Sequence, residues 1–123
     1  MKRILIVEDQ ADIRKLIRMT LEFEPYEIHE AADGAAGLRL AGAVQPDLIL
    51  LDVMMPGELD GLQVCEQVRA NPLLANTRVV LLTARGQLKD RDAGEQAGAD
   101  DYLIKPFSPL QLIETIERLM PAE

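Results

Sequence analysis

Three carboxylates, a hydroxyl and an ammonium group stand where short apolar runs of the sequence end. Glu8 and Asp9 follow the first run, Asp52 follows the third, Thr83 ends the fourth and Lys105 ends the fifth. Three close carboxylates repel one another unless some are protonated or a cation lies among them. Because the ligands are oxygens, with neither His nor paired Cys, the set favours a hard divalent cation, Mg²⁺ or Mn²⁺.

Asp52 is the candidate nucleophile of this set. A carboxylate can accept a phosphoryl group and form an aspartyl phosphate. Lys105 would then pair with one phosphate oxygen, and Thr83 would donate a hydrogen bond to another. A magnesium ion held by one or two carboxylates typically also binds phosphate oxygens. The residue types therefore predict a phosphoryl-transfer site, provided that the fold brings them together.

Apolar runs rich in branched residues alternate with stretches of helical period, which predicts five strand–helix units. We predict strands over residues 3–7, 26–32, 47–51, 77–83 and 100–106. We predict helices over residues 9–24, 33–44, 60–71, 87–98 and 108–120, the first ended by Pro25, the third capped by Asp60 and the fifth by Ser108. Strict alternation predicts an α/β fold with a parallel sheet between helices. Ligands of such sheets bind beyond the carboxyl ends of the strands, where the five side chains are expected to meet.

Composition and charge exclude several classes of protein. The 123 residues suit a single domain over 1–123, and 48 % hydrophobic residues are enough for a core. The net charge of −8 argues against direct nucleic-acid binding and against an anionic membrane surface. Cys65 is the only cysteine, so no intrachain disulfide is possible, which suits a reducing compartment. The apolar run over residues 4–7 is too short for a signal peptide, and we expect a cytoplasmic protein.

Four segments of the chain resemble the receiver domain of bacterial two-component response regulators. They read ILIVEDQ, DLILLDVMMPGELDG, VVLLTA and GADDYLIKPF, and the resemblance covers essentially the whole length. It implies a flavodoxin-like fold with strand order 2-1-3-4-5 and no output domain within this chain. It also implies a phosphorylation-activated switch whose phosphoryl donor is a histidine kinase or a phosphotransfer protein. Such a switch regulates an effector or output domain, loses its phosphoryl group by its own hydrolysis, and turns over no other substrate.

The resemblance also implies a role for each site residue. Asp52 resembles the phosphoacceptor, and Lys105 resembles the phosphate-binding lysine. The implied magnesium ligands are the side chains of Glu8, Asp9 and Asp52 and the backbone carbonyl of Met54. Thr83 resembles the switch hydroxyl, and Tyr102 resembles the aromatic residue that turns inward on activation. The peptide bond between Lys105 and Pro106 is expected to be cis.

Two features depart from the commonest family pattern. The loop from Pro56 to Gly61 has one residue more, beside Asp52. Arg91, Asp100, Asp101 and Arg118 resemble the charged dimer surface of the winged-helix transcription regulators, whereas Glu95 and Thr115 differ from it. We therefore expect a monomer or a weak, phosphorylation-dependent dimer.

Two other functions remain open from the residues alone. A phosphohydrolase or phosphotransferase with an aspartyl phosphate intermediate usually has a second Asp two residues on as general acid, and this chain has Met54 there. A flavin-binding module would need Ser, Thr and Gly after the first strand to bind a phosphate. The chain has Glu8, Asp9 and Gln10 instead, which repel phosphate unless a metal intervenes.

Overall fold

Five parallel strands form one sheet in the order β2-β1-β3-β4-β5. The computed structural model describes residues 1–55, 57–84 and 88–120, and for residues 88–91 it describes the backbone alone. The strands are β1 (Lys2–Val7), β2 (Tyr26–Ala31), β3 (Leu48–Asp52), β4 (Arg78–Ala84) and β5 (Asp101–Lys105). The helices are α1 (Ala11–Thr20), α2 (Gly34–Val44), α3 (Gly61–Ala70), α4 (Leu88–Ala97) and α5 (Pro109–Leu119). The predicted fold class and strand order are confirmed.

Alternate residues of the central strands face two separate cores. In β3, Ile49 and Leu51 pack with α2, α3 and α4, whereas Leu48 and Leu50 pack with α1 and α5. Every residue of β3 is buried, which explains why the four residues before Asp52 are all apolar rather than alternating with polar ones. Cys65 lies in the first core, where burial raises the pKa of its thiol to about 11. Within the described residues, no helix has the length and apolar character needed to cross a membrane.

Two predicted helix starts are confirmed in atomic detail. The Asp60 carboxylate accepts from the backbone N–H of Gln63, whose side chain in turn accepts from the Asp60 N–H. Ser108 and Gln111 make the same reciprocal pair at the start of α5. Such capping boxes satisfy N–H groups that have no partner within the helix. They fix where the loops after β3 and β5 end.

The first helix is shorter than predicted. It ends at Thr20, and the prediction that it continues to Pro25 is wrong. Leu21 is buried and its N–H still bonds to Ile17, but the chain then tightens into a turn that leaves the side chain of Phe23 94 % exposed. Pro25 disfavours helical backbone at the residue before it, so the turn completes the connection to β2. The short 3₁₀ helix over Pro72–Leu74 has too few residues to show a period in the sequence.

Candidate functional site

The register of β1 against β3 brings the carboxylates together. Val7 lies opposite Leu51, so the next residues along each strand, Glu8 and Asp52, are neighbours at the sheet edge. Alternation along the strands directs both side chains to the same face of the sheet. One carboxylate oxygen from each of Glu8, Asp9 and Asp52 lies within 4.8 Å of the others. The predicted convergence of the three carboxylates is confirmed.

Burial and mutual repulsion control the protonation of this cluster. Glu8 is fully buried and Asp52 is 4 % exposed. Burial, followed by the hydrogen bond with Glu8 and its negative charge, raises the pKa of Asp52 to about 8. Burial also pushes the pKa of Asp9 upward, but hydrogen bonds with Glu8 and Asp52 and the charge of Lys105 lower it overall. Without a cation, the cluster therefore retains a proton at neutral pH, because burial and the neighbouring carboxylate outweigh the nearby positive charge of Lys105 at Asp52.

Lys105 supplies a positive charge to the cluster from two strands away. Its Nζ lies 2.6 Å from Oε1 of Glu8 and 3.2 Å from Oδ1 of Asp52. In the register, Lys105 lies opposite Ala84, so its side chain must pass across β4 to reach β3. The residue that it passes, Ala84, has only a methyl side chain. The peptide bond from Lys105 to Pro106 is cis, as the resemblance implies.

Thr83 and Tyr102 lie on the opposite face of the sheet from Asp52. Thr83 follows Leu82, the residue of β4 that lies opposite Asp52. Alternation places Thr83 with Tyr102, which packs half-buried against the core formed with α2, α3 and α4. Thr83 is 5 % exposed, and no group of the described residues forms a hydrogen bond with its hydroxyl. A buried hydroxyl of this kind has a donor and two lone pairs for a group bound at the sheet edge.

The loop after Asp52 begins with contacts to the site. The N–H of Met54 donates to Oδ1 of Asp52 over 3.2 Å, while the Met54 side chain is 61 % exposed. Gly61 starts α3 so close to β3 that a Cβ atom there would lie 2.1 Å from the carbonyl oxygen of Asp52. The ligand role of the Met54 carbonyl stays a prediction.

The extra residue of this loop falls in a stretch that borders a cavity. Pro56 lies outside the described residues, and Gly57 adopts a φ of 106°, which favours glycine. The loop and the β2–α2 turn border an open cavity of about 480 Å³, lined by Asp33, Leu59 and their neighbours. Among the described residues, the three clustered carboxylates do not line this cavity.

The acidic residues of the resembled dimer surface have partners within the chain. Asp100 contacts Arg69 at 2.6 Å and Arg78 at 3.3 Å, and Asp101 pairs with Arg118. The side chain of Arg91 lies outside the described residues. A dimer that used these acids would have to exchange existing pairs for new ones.

Sequence reasoning missed a side chain that contacts the cluster. A guanidinium nitrogen of Arg14 donates to the backbone carbonyl of Glu8 over 2.6 Å. Arg14 lies on α1, six residues after Glu8, and nothing in its spacing distinguishes it from Lys15 or Arg18. Only the packing of α1 beside the end of β1 reveals the contact.

Comparisons with known proteins agree with this geometry. A sequence model described as the response regulator receiver domain matches residues 4–117. The DNA-binding dual master transcriptional regulator RpaA of Synechocystis is 42 % identical over 120 residues, which is 98 % of this chain and 49 % of RpaA. The transcriptional regulatory protein ResD of Bacillus subtilis is 44 % identical over 118 residues, 96 % of this chain and 48 % of ResD. The chain thus spans about half the length of the curated relatives that it matches.

Solved structures lead to the same family. A putative response regulator from Chloroflexus aurantiacus superposes with a TM-score of 0.92 at 34 % identity, covering 98 % of both chains. The receiver domain of the Pseudomonas aeruginosa sensor histidine kinase PA1611, which has magnesium coordinated in its active site cleft, gives a TM-score of 0.88 at 32 % identity and 98 % coverage of both chains. Neither the hydrolase nor the flavin alternative gains support from these matches. The chain belongs to the response regulator receiver domain family, whose members act as phosphorylation-activated switches.

Proposed function

We propose that this receiver domain accepts a phosphoryl group on the carboxylate of Asp52, from a phosphohistidine of a histidine kinase or phosphotransfer protein. A carboxylate oxygen of Asp52 forms the new bond to phosphorus as the bond to the imidazole nitrogen breaks. The imidazole leaves with the electron pair of that bond and takes up a proton from solvent. The observation that carries the proposal is the position of Asp52, a buried carboxylate beside two further carboxylates and 3.2 Å from an ammonium group.

Glu8, Asp9, Asp52 and the backbone carbonyl of Met54 would hold Mg²⁺, or Mn²⁺ in its place. The raised pKa of Asp52 supports this assignment, because in the protein alone burial and the neighbouring Glu8 outweigh the positive charge of Lys105. An oxygen-only donor set suits a hard cation. The ion, when bound, neutralises negative charge on the phosphoryl group during transfer.

Lys105 and Thr83 would bind the attached phosphoryl group from two sides. Lys105 already lies within 3.2 Å of the accepting carboxylate, so its ammonium can pair with an oxygen attached there. Thr83 would turn its hydroxyl toward a second oxygen. The movement frees space on the face that Thr83 shares with Tyr102, and the Tyr102 ring would turn inward. The surface around β5 would change in this way, which is how a new dianion biases a partner interaction.

The same site would remove its own phosphoryl group. Water attacks phosphorus, the bond to the Asp52 oxygen breaks, and the carboxylate and inorganic phosphate are released. The thioether of Met54 has no proton to donate, which disfavours a dedicated hydrolase with a general acid two residues after the nucleophile. We propose a cytoplasmic switch without turnover of an external substrate, monomeric or weakly dimeric when phosphorylated, that controls an effector or output domain outside residues 1–123.

Phosphorylation with a small acyl phosphate and Mg²⁺ tests this proposal. Intact-mass measurement should show one phosphoryl group on the wild-type chain and none on Asp52→Asn. Asp12→Asn is the matched control, because Asp12 is an exposed carboxylate in the first turn of α1. Equal incorporation into the wild type and Asp52→Asn would overturn the assignment.

A further inference from the structure

We infer that Arg14 is a positioning residue that holds the acidic pair, Glu8 and Asp9, in the geometry needed to bind a divalent cation. The inference rests on the proposed function, since it concerns the same cation site. Arg14 itself is not a ligand, because its guanidinium is a cation with donors alone. It acts through the backbone of Glu8.

The Glu8 carbonyl needs a donor that the sheet does not supply. β1 ends at Val7, and although the Glu8 N–H still bonds to Ala31, no backbone N–H of the described residues donates to the Glu8 carbonyl. Glu8 is fully buried, so this carbonyl is also withdrawn from water. Arg14 donates to it over 2.6 Å. A buried acceptor that loses a charged donor is costly, and the chain would rearrange to reach another partner.

Rearrangement at this carbonyl would move the carboxylates directly. The side chain of Glu8 is held by Lys105 at 2.6 Å and by the N–H of Gln10 at 3.3 Å. The peptide that contains the Glu8 carbonyl leads straight into Asp9. One peptide unit therefore joins the two residues that carry the carboxylates. The guanidinium of Arg14, on α1, fixes the orientation of that peptide unit.

Arg14 is in turn held in place by β2. Its Nε lies 3.5 Å from Glu30, and Glu30 is also held by Arg18 at 2.6 Å. The Arg14 side chain is 21 % exposed, so packing limits its other conformations. A chain of contacts thus runs from the edge strand through α1 to the acidic pair. Residues that orient metal ligands in this way commonly change metal affinity by 10–100-fold when they are lost.

The direction in which Mg²⁺ affinity changes when Arg14 is removed distinguishes a positioning role from a purely electrostatic one. If Arg14 acted through its charge alone, removing a positive charge near three carboxylates would tighten the binding of Mg²⁺. If Arg14 positions the acidic pair, the same change weakens binding because the ligands lose their arrangement. The two roles predict opposite signs.

Calorimetric titration of the 123-residue chain with Mg²⁺ tests the inference. We expect Arg14→Ala to bind Mg²⁺ about tenfold more weakly than the wild type, and Arg14→Lys to show a smaller loss. Arg18→Ala is the matched control, because Arg18 pairs with the same Glu30 without contacting Glu8. The Mg²⁺ affinity of this variant should stay within about twofold of the wild-type value. Unchanged or tighter binding by folded Arg14→Ala would overturn the inference.

A second readout needs no cation. In the presence of a chelator, amide hydrogen exchange at Gln10 should be faster in Arg14→Ala than in the wild type, since this N–H bonds to the Glu8 side chain. If Arg14→Ala does not fold, Glu30→Gln decides. This variant weakens the anchor of Arg14, so the guanidinium should hold the Glu8 carbonyl less firmly and Mg²⁺ should bind more weakly than in the wild type. Wild-type affinity and exchange in Glu30→Gln would then overturn the inference. Failure of the wild type itself to bind Mg²⁺ would instead count against the proposed function.

Discussion

Lys105 and Glu8, which are 97 residues apart in sequence, form a 2.6 Å ion pair at the carboxyl edge of the sheet. The pair joins β5 to the end of β1 across two intervening strands. Glu8 has no exposed surface, so this lysine, rather than water, contacts its carboxylate. The lysine proposed to bind phosphate is therefore also part of what holds the unmodified site together.

Removing Lys105 should destabilise the cation-free protein. We expect Lys105→Ala to lower the free energy of unfolding by about 3 kcal/mol, because it leaves a buried carboxylate without its partner. Urea denaturation in the presence of a chelator measures the change. Arg118→Ala is the control, since it breaks an exposed pair with Asp101 and should cost less than about 1 kcal/mol. Equal losses in the two variants would contradict the structural role of Lys105.

The stability of the cation-free protein should fall as pH rises from about 5 to 8. The pKa of Asp52 is raised from 3.8 to about 8 on folding, chiefly by burial. A raised folded pKa means that the native state binds the proton more tightly, so its stabilising effect is complete below the unfolded pKa and is lost as pH rises through the folded pKa. The slope from one such group is at most about 1.4 kcal/mol per pH unit. Asp52→Asn should flatten the profile, and an identical slope in that variant would exclude Asp52 as its source.

Binding of Mg²⁺ should release a proton at neutral pH. Asp52, with its pKa near 8, is largely protonated at pH 7 in the cation-free chain, and a metal-binding carboxylate must be deprotonated. Calorimetry in buffers of different ionisation enthalpy counts the protons. We expect up to one proton per chain at pH 7 and far fewer at pH 9. Release of the same number by Asp52→Asn would show that another group supplies the proton.

Two glycines should respond in opposite ways to the same substitution. A Cβ atom at Gly61 would lie 2.1 Å from the Asp52 carbonyl oxygen and 2.7 Å from the Val53 Cα, both rigid backbone atoms. Gly61→Ala should therefore cost about 2 kcal/mol or more and displace Asp52. Gly42, within α2, has nothing within 4 Å, and Gly42→Ala should raise stability by up to about 1 kcal/mol. Thermal unfolding of both variants checks the contrast, and a stable, fully active Gly61→Ala would contradict it.

The sequence predicted those parts of the fold and site that depend on local pattern. The apolar runs located all five strands, and their alternation with helices brought Glu8, Asp52 and Lys105 to one sheet edge. The predicted C-terminal end of α1 was wrong. The apolar period of the helix continues to Leu21, but the chain has already begun to turn toward β2 there. The contact from Arg14 to Glu8 could not be predicted, since it depends on how α1 rotates against the sheet rather than on residue type.

The strand boundaries also depend partly on contacts that no local sequence pattern reveals. β5 begins at Asp101 rather than at residue 100, because Asp100 uses its carboxylate to accept from the Val79 N–H and to pair with two arginines. Residue type alone marks Asp100 as an exposed acid. Its partners come from α3 and β4, and no local pattern in the sequence joins them.

The most direct test of the account is the chemical identity of residue 52 after phosphorylation. The chain is treated with a small acyl phosphate and Mg²⁺ and then reduced with borohydride, which converts an aspartyl phosphate to homoserine. Tryptic cleavage after Arg39 and Arg69 yields one peptide, 40–69, that contains Asp52 along with other acids. Fragmentation of this peptide should place homoserine at position 52. Homoserine at another acidic residue, with Asp52 unchanged, would contradict the central claim.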